Sequence, residues 1–381
     1  MHLVKDEEQH PRHRIDSWWE KLKDELTGEA FELVAEMAND KAFGSGWRVS
    51  LVGLIEGGAR LVCSVLYWPF CEFQLTSLRG GPPDPAAFQS LISQLEFVEQ
   101  ALHELDPNCE RHVLVKQAAD LDGIGDGRLR LVHCVEGGFH LGPDEDSVAS
   151  QVAQLAEHGV LYITLAHLFF RGVAANAPAL PMFTDDEYRK IFTEPVDGLT
   201  DLGRAAIAAM CAHGVLVDVS HMRADAVSET LDELDRIDPD KTMPVIATHV
   251  GAASEDPEHH AYNLAPPTMQ RIRDRHGVVG VILAQDMLGR TGTPEDSRMT
   301  LERHINAIRD AVGDHRHTGI GTDLDGFISP TLAGIEQAAD LAILEQWIRE
   351  IAPEDAEAIT YGNAEKVIRA AFQRRIDTPR P

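Results

Sequence analysis

Five apolar runs in this 381-residue chain stop on a residue that can bind a metal ion or move a proton. "RLVHCVEG" reaches Glu136, "LYITLAH" reaches His167, "GVLVDVSH" reaches His221 and "PVIATH" reaches His249, while "TGIGTDLDG" carries Asp323 and Asp325. Neutral imidazoles and carboxylates are the ligands of zinc and its neighbours, and the same groups act as general acids, bases and oxyanion partners. Each has a plain explanation when taken alone. A histidine at a strand end is usually structural, Glu136 before Gly137 and Gly138 can start a turn, and "TDLDG" has the composition of a capping turn. Five such endings together point to one metal site. The run before His221 also holds a single acid, Asp218, among apolar neighbours.

The elements that would position these residues are seven short apolar, β-branched runs, at 59–68, 130–137, 161–167, 214–221, 244–249, 277–283 and 318–326. Helix-length amphipathic segments lie between them, among them those opening at Asp84, Asp146 and Thr200. Strand–helix alternation with near-continuous apolar strands implies a parallel sheet covered by helices. No GxGxxG or GxxxxGK loop is present, which argues against an open nucleotide-binding sheet. The expected fold is a TIM-like (β/α)8 barrel, whose functional residues gather at the C-terminal ends of the strands. A barrel needs eight strands. Residues 16–41 read as a long helix with only "MHLV" before it, so the first strand is expected to be missing or truncated at the N-terminus. Residues 1–376 read as a single domain and 377–381 as a frayed tail.

Composition narrows the function further. The formal charge of −28 disfavours nucleic acid and anionic membrane surfaces as partners. No apolar run approaches a membrane span, and the five scattered cysteines suit a reducing, cytoplasmic setting. A homodimer is allowed by base rates alone.

The stretches "VEGGFHLG", "LYITLAHLFFRGVAAN", "DGLTDLGRAAIAAMCAHGVLVDVSHM", "PVIATHVGA", "GVVGVIL", "GIGTDLDG" and "YGNAEKVIRAAF" occur in that order between about residue 48 and residue 372. In them the chain resembles the membrane (renal) dipeptidase family of zinc peptidases, peptidase M19, among the amidohydrolase-like barrels. The resemblance implies two zinc ions per chain in the family, one or two here, and a small dipeptide-like substrate. It implies that Glu136 bridges the metals and that His221 and His249 are ligands of the second. It also implies that His167 stabilises the oxyanion, and that Asp323, rather than Asp325, binds the substrate amine and handles the proton. Attack by hydroxide generated at the metals would then cleave the peptide bond.

Two features depart from the family. Its first strand ends in a His-x-Asp or His-x-His pair, which has no counterpart before residue 48; Glu8, His10, His13 and Asp16 are the nearest candidates. Its carboxylate-binding arginine, which precedes an Asn, is replaced by Tyr262 before Asn263, and tyrosine cannot pair with a carboxylate as a charged fork. Tyr262 and Asn263 are taken as substrate-binding positions, with Arg271, Arg273 or Arg290 as possible replacements for the missing cation. The departures keep two other readings open: a related amidohydrolase acting on another small amide or a lactone, and a catalytically silent barrel lacking the first metal's ligands.

Overall fold

A computed structural model describes residues 48–68, 72, 85–180, 183–253, 261–326, 328 and 330–377. Within them run eight strands: β1 (Leu61–Leu66), β2 (His112–Leu114), β3 (Leu129–Glu136), β4 (Tyr162–Thr164), β5 (Leu216–Asp218), β6 (Val245–Val250), β7 (Val279–Val281) and β8 (Thr318–Ile320). Every pairing between them is parallel, in the order β1-β3-β4-β5-β6-β7-β8, with β2 beside the start of β3. Helices fill the connections and the sheet curls into the wall of a (β/α)8-type barrel. All seven expected strands are present. The extra one, β2, is three residues long, too short for any periodicity to reveal.

Several runs are longer than the strands they yield. In β4 and β5 only three residues keep the ladder, and the remainder, including His167 and His221, bends into the rim loops. Side-chain alternation sorts the strands into two layers. Val132, Cys134, Tyr162, Leu216, Ile246 and Val278 form an inner cluster closed from below by Val367, Ile368, Ala371 and Phe372. Val135, Ile163, Val217, Val245, Ala247 and Val279 point the other way, into the shell shared with the helices. The helix expected from Asp146 opens two residues earlier, on the side chain of Asp144, while the one expected from Thr200 starts where its cap predicts. Thr200 caps Asp201–His213 by accepting from the Gly203 amide, and Gly214 ends that helix in the left-handed conformation.

No pairing joins β1 to β8 among the described residues, so these are the two edges of the sheet. The expected helix over 16–41 and the candidates Glu8, His10, His13 and Asp16 lie outside the described residues.

Close approach of three strands sets the rim beneath the site. A Cβ on Gly280 would stand 2.1 Å from the Thr248 carbonyl oxygen, and one on Gly321 would stand 1.8 Å from the same atom. Only glycine lets β7 and β8 come this near to the end of β6, which carries His249. Gly321→Ala is expected to destabilise the fold by about 1–3 kcal/mol through overpacking, read as a lower urea midpoint. An unchanged midpoint would mean that the strands are not held so closely.

Candidate metal centre

Glu136 is the last residue of β3, and three histidines converge on its carboxylate. Oε1 lies 3.6 Å from His221 Nε2 and 3.4 Å from His249 Nε2, and Oε2 lies 3.6 Å from His167 Nε2. The Nε2 atoms of His221 and His249 are 2.8 Å apart. Donor atoms of Glu136, His221 and His249 all fall within 4.8 Å of one another. Burial, with His167 and His249 alongside, pushes the His221 pKa well below its ordinary value and keeps the ring neutral. Its Nδ1 is buried without a hydrogen-bond partner among the described residues. Two imidazole nitrogens from buried histidines and an oxygen of the half-buried Glu136, brought this close together, fit a divalent metal ion that takes nitrogen and oxygen ligands.

His167 is supported from behind. Its Nδ1 lies 2.6 Å from the Glu72 carboxylate, which is fully buried and also accepts from the Tyr67 hydroxyl at 2.5 Å and the Phe169 amide at 2.9 Å. Burial opposes charge on this imidazole, but Glu72, Glu136 and Asp323 outweigh it and raise the pKa to about 9. Glu72 is lowered in turn, because His167 and the donors overcome the effect of its burial. A neighbouring histidine plays a different part. His140 donates from Nδ1 to the Gly137 carbonyl at 2.6 Å and accepts the Trp68 amide at Nε2, so both its nitrogens are engaged. Burial lowers it to about 4.

Asp323 lines the same cavity, and burial, reinforced by Glu136 against the opposing pull of His249 and His167, raises its pKa to about 6. Asp325 also lines the cavity, but its carboxylate is engaged, accepting the Arg48 and Val49 amides at 2.8 and 3.2 Å. His221, Asp323 and Asp325 all have positive φ (63°, 52° and 68°), a conformation side chains avoid unless their surroundings impose it.

The cavity holds about 1360 Å³ and runs from Glu136, His221 and His249 past Tyr67 and Trp68 to both edge strands. Tyr262 lines it, but its hydroxyl donates to the His249 carbonyl at 2.9 Å, and its ring meets His221 edge-on at 5.0 Å. Asn263 accepts the Gly251 amide and donates to the Met287 carbonyl, bracing the loop after β6. Arg271 is engaged by Asp232 and Asp235, Arg273 by Asp274, and Arg290 by Asp286. Among the described lining residues Arg60 is the one lysine or arginine.

Sequence reasoning brought out Glu136, His167, His221, His249 and Asp323, and these five are neighbours in space. It did not find Glu72, Tyr67 or Thr248. Glu72 sits in "WPFCEFQL" with no strand-end signal, and its link to His167 spans 95 residues of sequence. Thr248 was visible only as the residue before His249.

A family model for membrane dipeptidase (peptidase family M19) matches residues 22–380. The chain belongs to this family. Dipeptidase aclJ of Aspergillus oryzae is 26% identical over 245 residues, covering 64% of this chain and 51% of that protein. Dipeptidase 3 of Rattus norvegicus is 25% identical over 286 residues, covering 74% and 54%. The chain thus spans about half the length of these curated relatives. Among solved structures, a Rhodobacter sphaeroides metallopeptidase liganded with a phosphinate mimic of the dipeptide L-Ala-D-Ala has a TM-score of 0.65 at 18% identity, covering 89% of this chain and 96% of that one. A dipeptidase of peptidase family M19 gives 0.64 at 20% identity with the same coverage. These likenesses are of fold, and they agree with the barrel described above.

Two measurements test the site. His221→Ala or His249→Ala is expected to abolish tightly held metal, read by elemental analysis after exhaustive desalting; metal surviving both changes would remove these residues from the ligand set. The second concerns Glu194, which pairs with Arg223 at 3.2 Å just after His221 and accepts the Asn176 amide. Burial outweighs both partners and raises it from the ordinary 4.5 to about 7. Between those values the folded state holds a proton that the unfolded state has released, so stability falls as pH rises through this window. Glu194→Gln should flatten that part of a plot of thermal midpoint against pH; an unaltered slope would place its origin elsewhere.

Proposed function

We propose that this chain is a metal-dependent dipeptidase, with zinc as the metal and a small dipeptide-like molecule as substrate. The observation that carries this reading is the convergence of Glu136, His221 and His249 beside His167 and Asp323 in one cavity. A bound zinc ion would supply Lewis acidity to the scissile carbonyl and lower the pKa of water. Glu136, His221 and His249 would hold it. The remaining groups belong to the substrate. His167, held through Nδ1 by Glu72, turns Nε2 toward the Glu136 side of the cavity, where an N–H can stabilise negative charge growing on the carbonyl oxygen. Asp323, with its pKa near 6, is suited to take a proton from the attacking water and return it to the leaving amine. Its negative charge, with that of Glu136, also favours an ammonium group on the substrate. The apolar wall around Ile282, Ala284 and Ile328 would receive an uncharged side chain.

A cytoplasmic location forms part of the proposal and is supported by the free thiols of Cys63, Cys109, Cys134 and Cys211. No helix among the described residues is long and apolar enough to cross a membrane.

The test is hydrolysis of a panel of dipeptides by zinc-loaded protein, followed by chromatography of the released amino acids, with dipeptide amides as a parallel set. Asp323→Asn should lower kcat by about 10²–10⁴-fold while leaving metal content unchanged. Protein that carries metal and cleaves no dipeptide would overturn the substrate assignment. Cleavage restricted to the amides would instead favour a related amidohydrolase.

A further inference from the structure

Asp218 is a carboxylate at the end of β5 with no exposure to solvent and no ion pair among the described residues. Five donors surround it instead. The hydroxyls of Thr164 and Thr248 each lie 2.6 Å away and that of Ser220 lies 2.8 Å away, with the amides of Ser220 and Thr248 each at 3.0 Å. These come from the ends of β4 and β6 and from the turn after β5. A buried carboxylate without a cation requires such donors, since each replaces a lost contact with water. Its consequence reaches the metal centre through one atom. Thr248 Oγ1 is also 2.7 Å from Nδ1 of His249.

We infer that Asp218, acting through the Thr248 hydroxyl, is a positioning group that fixes the tautomer and ring orientation of His249 for metal binding. With five donors turned on it the Asp218 carboxylate acts as an acceptor only, so Thr248 must direct its single hydroxyl proton at Asp218. Across the 2.7 Å contact Thr248 Oγ1 can then only accept, and His249 must carry its proton on Nδ1. That leaves the Nε2 lone pair bare, on the side where Glu136 and His221 stand. The Tyr262 hydroxyl on the His249 carbonyl and the Ser220 hydroxyl beside the His249 amide hold the backbone of the same residue. His221 has no comparable anchor, because its Nδ1 lacks a partner among the described residues. The two imidazoles are therefore unequal, with one set in advance by a buried carboxylate two bonds of the network away. Partners behind a ligating histidine of this kind act on metal affinity by orienting the ring and raising its basicity.

The inference rests on the metal reading of the site, but its decisive measurement does not need bound metal. In metal-free protein with ¹⁵N-labelled histidine, His249 should show the Nδ1–H tautomer. Thr248→Val keeps the shape of the side chain and removes the hydroxyl; it should release the tautomer preference and weaken zinc binding, measured by chelator competition, by about 10–100-fold. Thr248→Ser restores the hydroxyl and should return both readouts to within a few-fold of the unaltered protein. Asp218→Asn presents an amide that can donate to Thr248, turning its hydroxyl toward His249 and moving the imidazole proton to Nε2. A purely structural role would lower the thermal midpoint of Thr248→Val without altering the tautomer or the affinity of the folded protein, and that result would overturn the inference. So would an Nε2–H tautomer in the unaltered protein, which needs no variant to fold. If the unaltered protein binds no zinc while His249 shows the Nδ1–H form, the metal reading fails and the hydrogen-bond assignment stands.

Discussion

A carboxylate removed from water, with no cation beside it among the described residues, must be met by donors, and that requirement gathers the ends of adjacent strands around Asp218. Thr164 from β4, Ser220 after β5 and Thr248 from β6 each bring a hydroxyl to the same carboxylate. Parallel pairing alone fixes neighbouring strands in register, as where Thr164 stands opposite Asp218. The hydrogen bonds add a tie across the interior, at the level just below Glu136, His221 and His249. The side chains of the candidate metal centre therefore rise from a floor that these hydrogen bonds tie together.

Above that floor the site accepts several local costs. Three residues with side chains hold positive φ, and a neutral histidine is packed against two others. Carboxylate and imidazole compensate one another where Glu72 meets His167, and Glu136 stands within 3.6 Å of all three rings. Such arrangements persist only where the surrounding structure over-determines them. Here that surrounding is supplied by the glycine contacts of β7 and β8 against β6 and by the buried hydrogen bonds of Asp218.

The same geometry separates roles among chemically identical residues. Of four buried histidines near the rim, His140 has both nitrogens occupied by backbone groups and acts as a structural brace. His167 is turned toward charge by Glu72, His249 is engaged through Thr248, and His221 is kept neutral by burial. Asp323 and Asp325 are two residues apart and both line the cavity, yet the carboxylate of Asp325 is taken up by the chain's own amides at 48 and 49. Residue type is common to these groups; the second partner of each decides what it does.

Much of this was determined by the sequence itself. Apolar runs of strand length, separated by capped helices, specified a parallel barrel, because only strands buried on both faces are so uniformly apolar. In such a barrel every strand presents its C-terminal end to one rim, so Glu136, His167, His221, His249 and Asp323 were readable as neighbours without any distance in hand. What tertiary structure alone decided was the partner behind each of them. Glu72 meets His167 across 95 positions and Asp218 meets Thr248 across 30, and neither pairing leaves a periodic or spacing signal. The hydroxyl of Tyr262 could be read as a substrate contact until its distance to the His249 carbonyl showed where it points. Periodicity reports which face of an element is buried. Which polar atom satisfies which, once buried, depends on how distant segments pack, and that is settled only when the chain has folded.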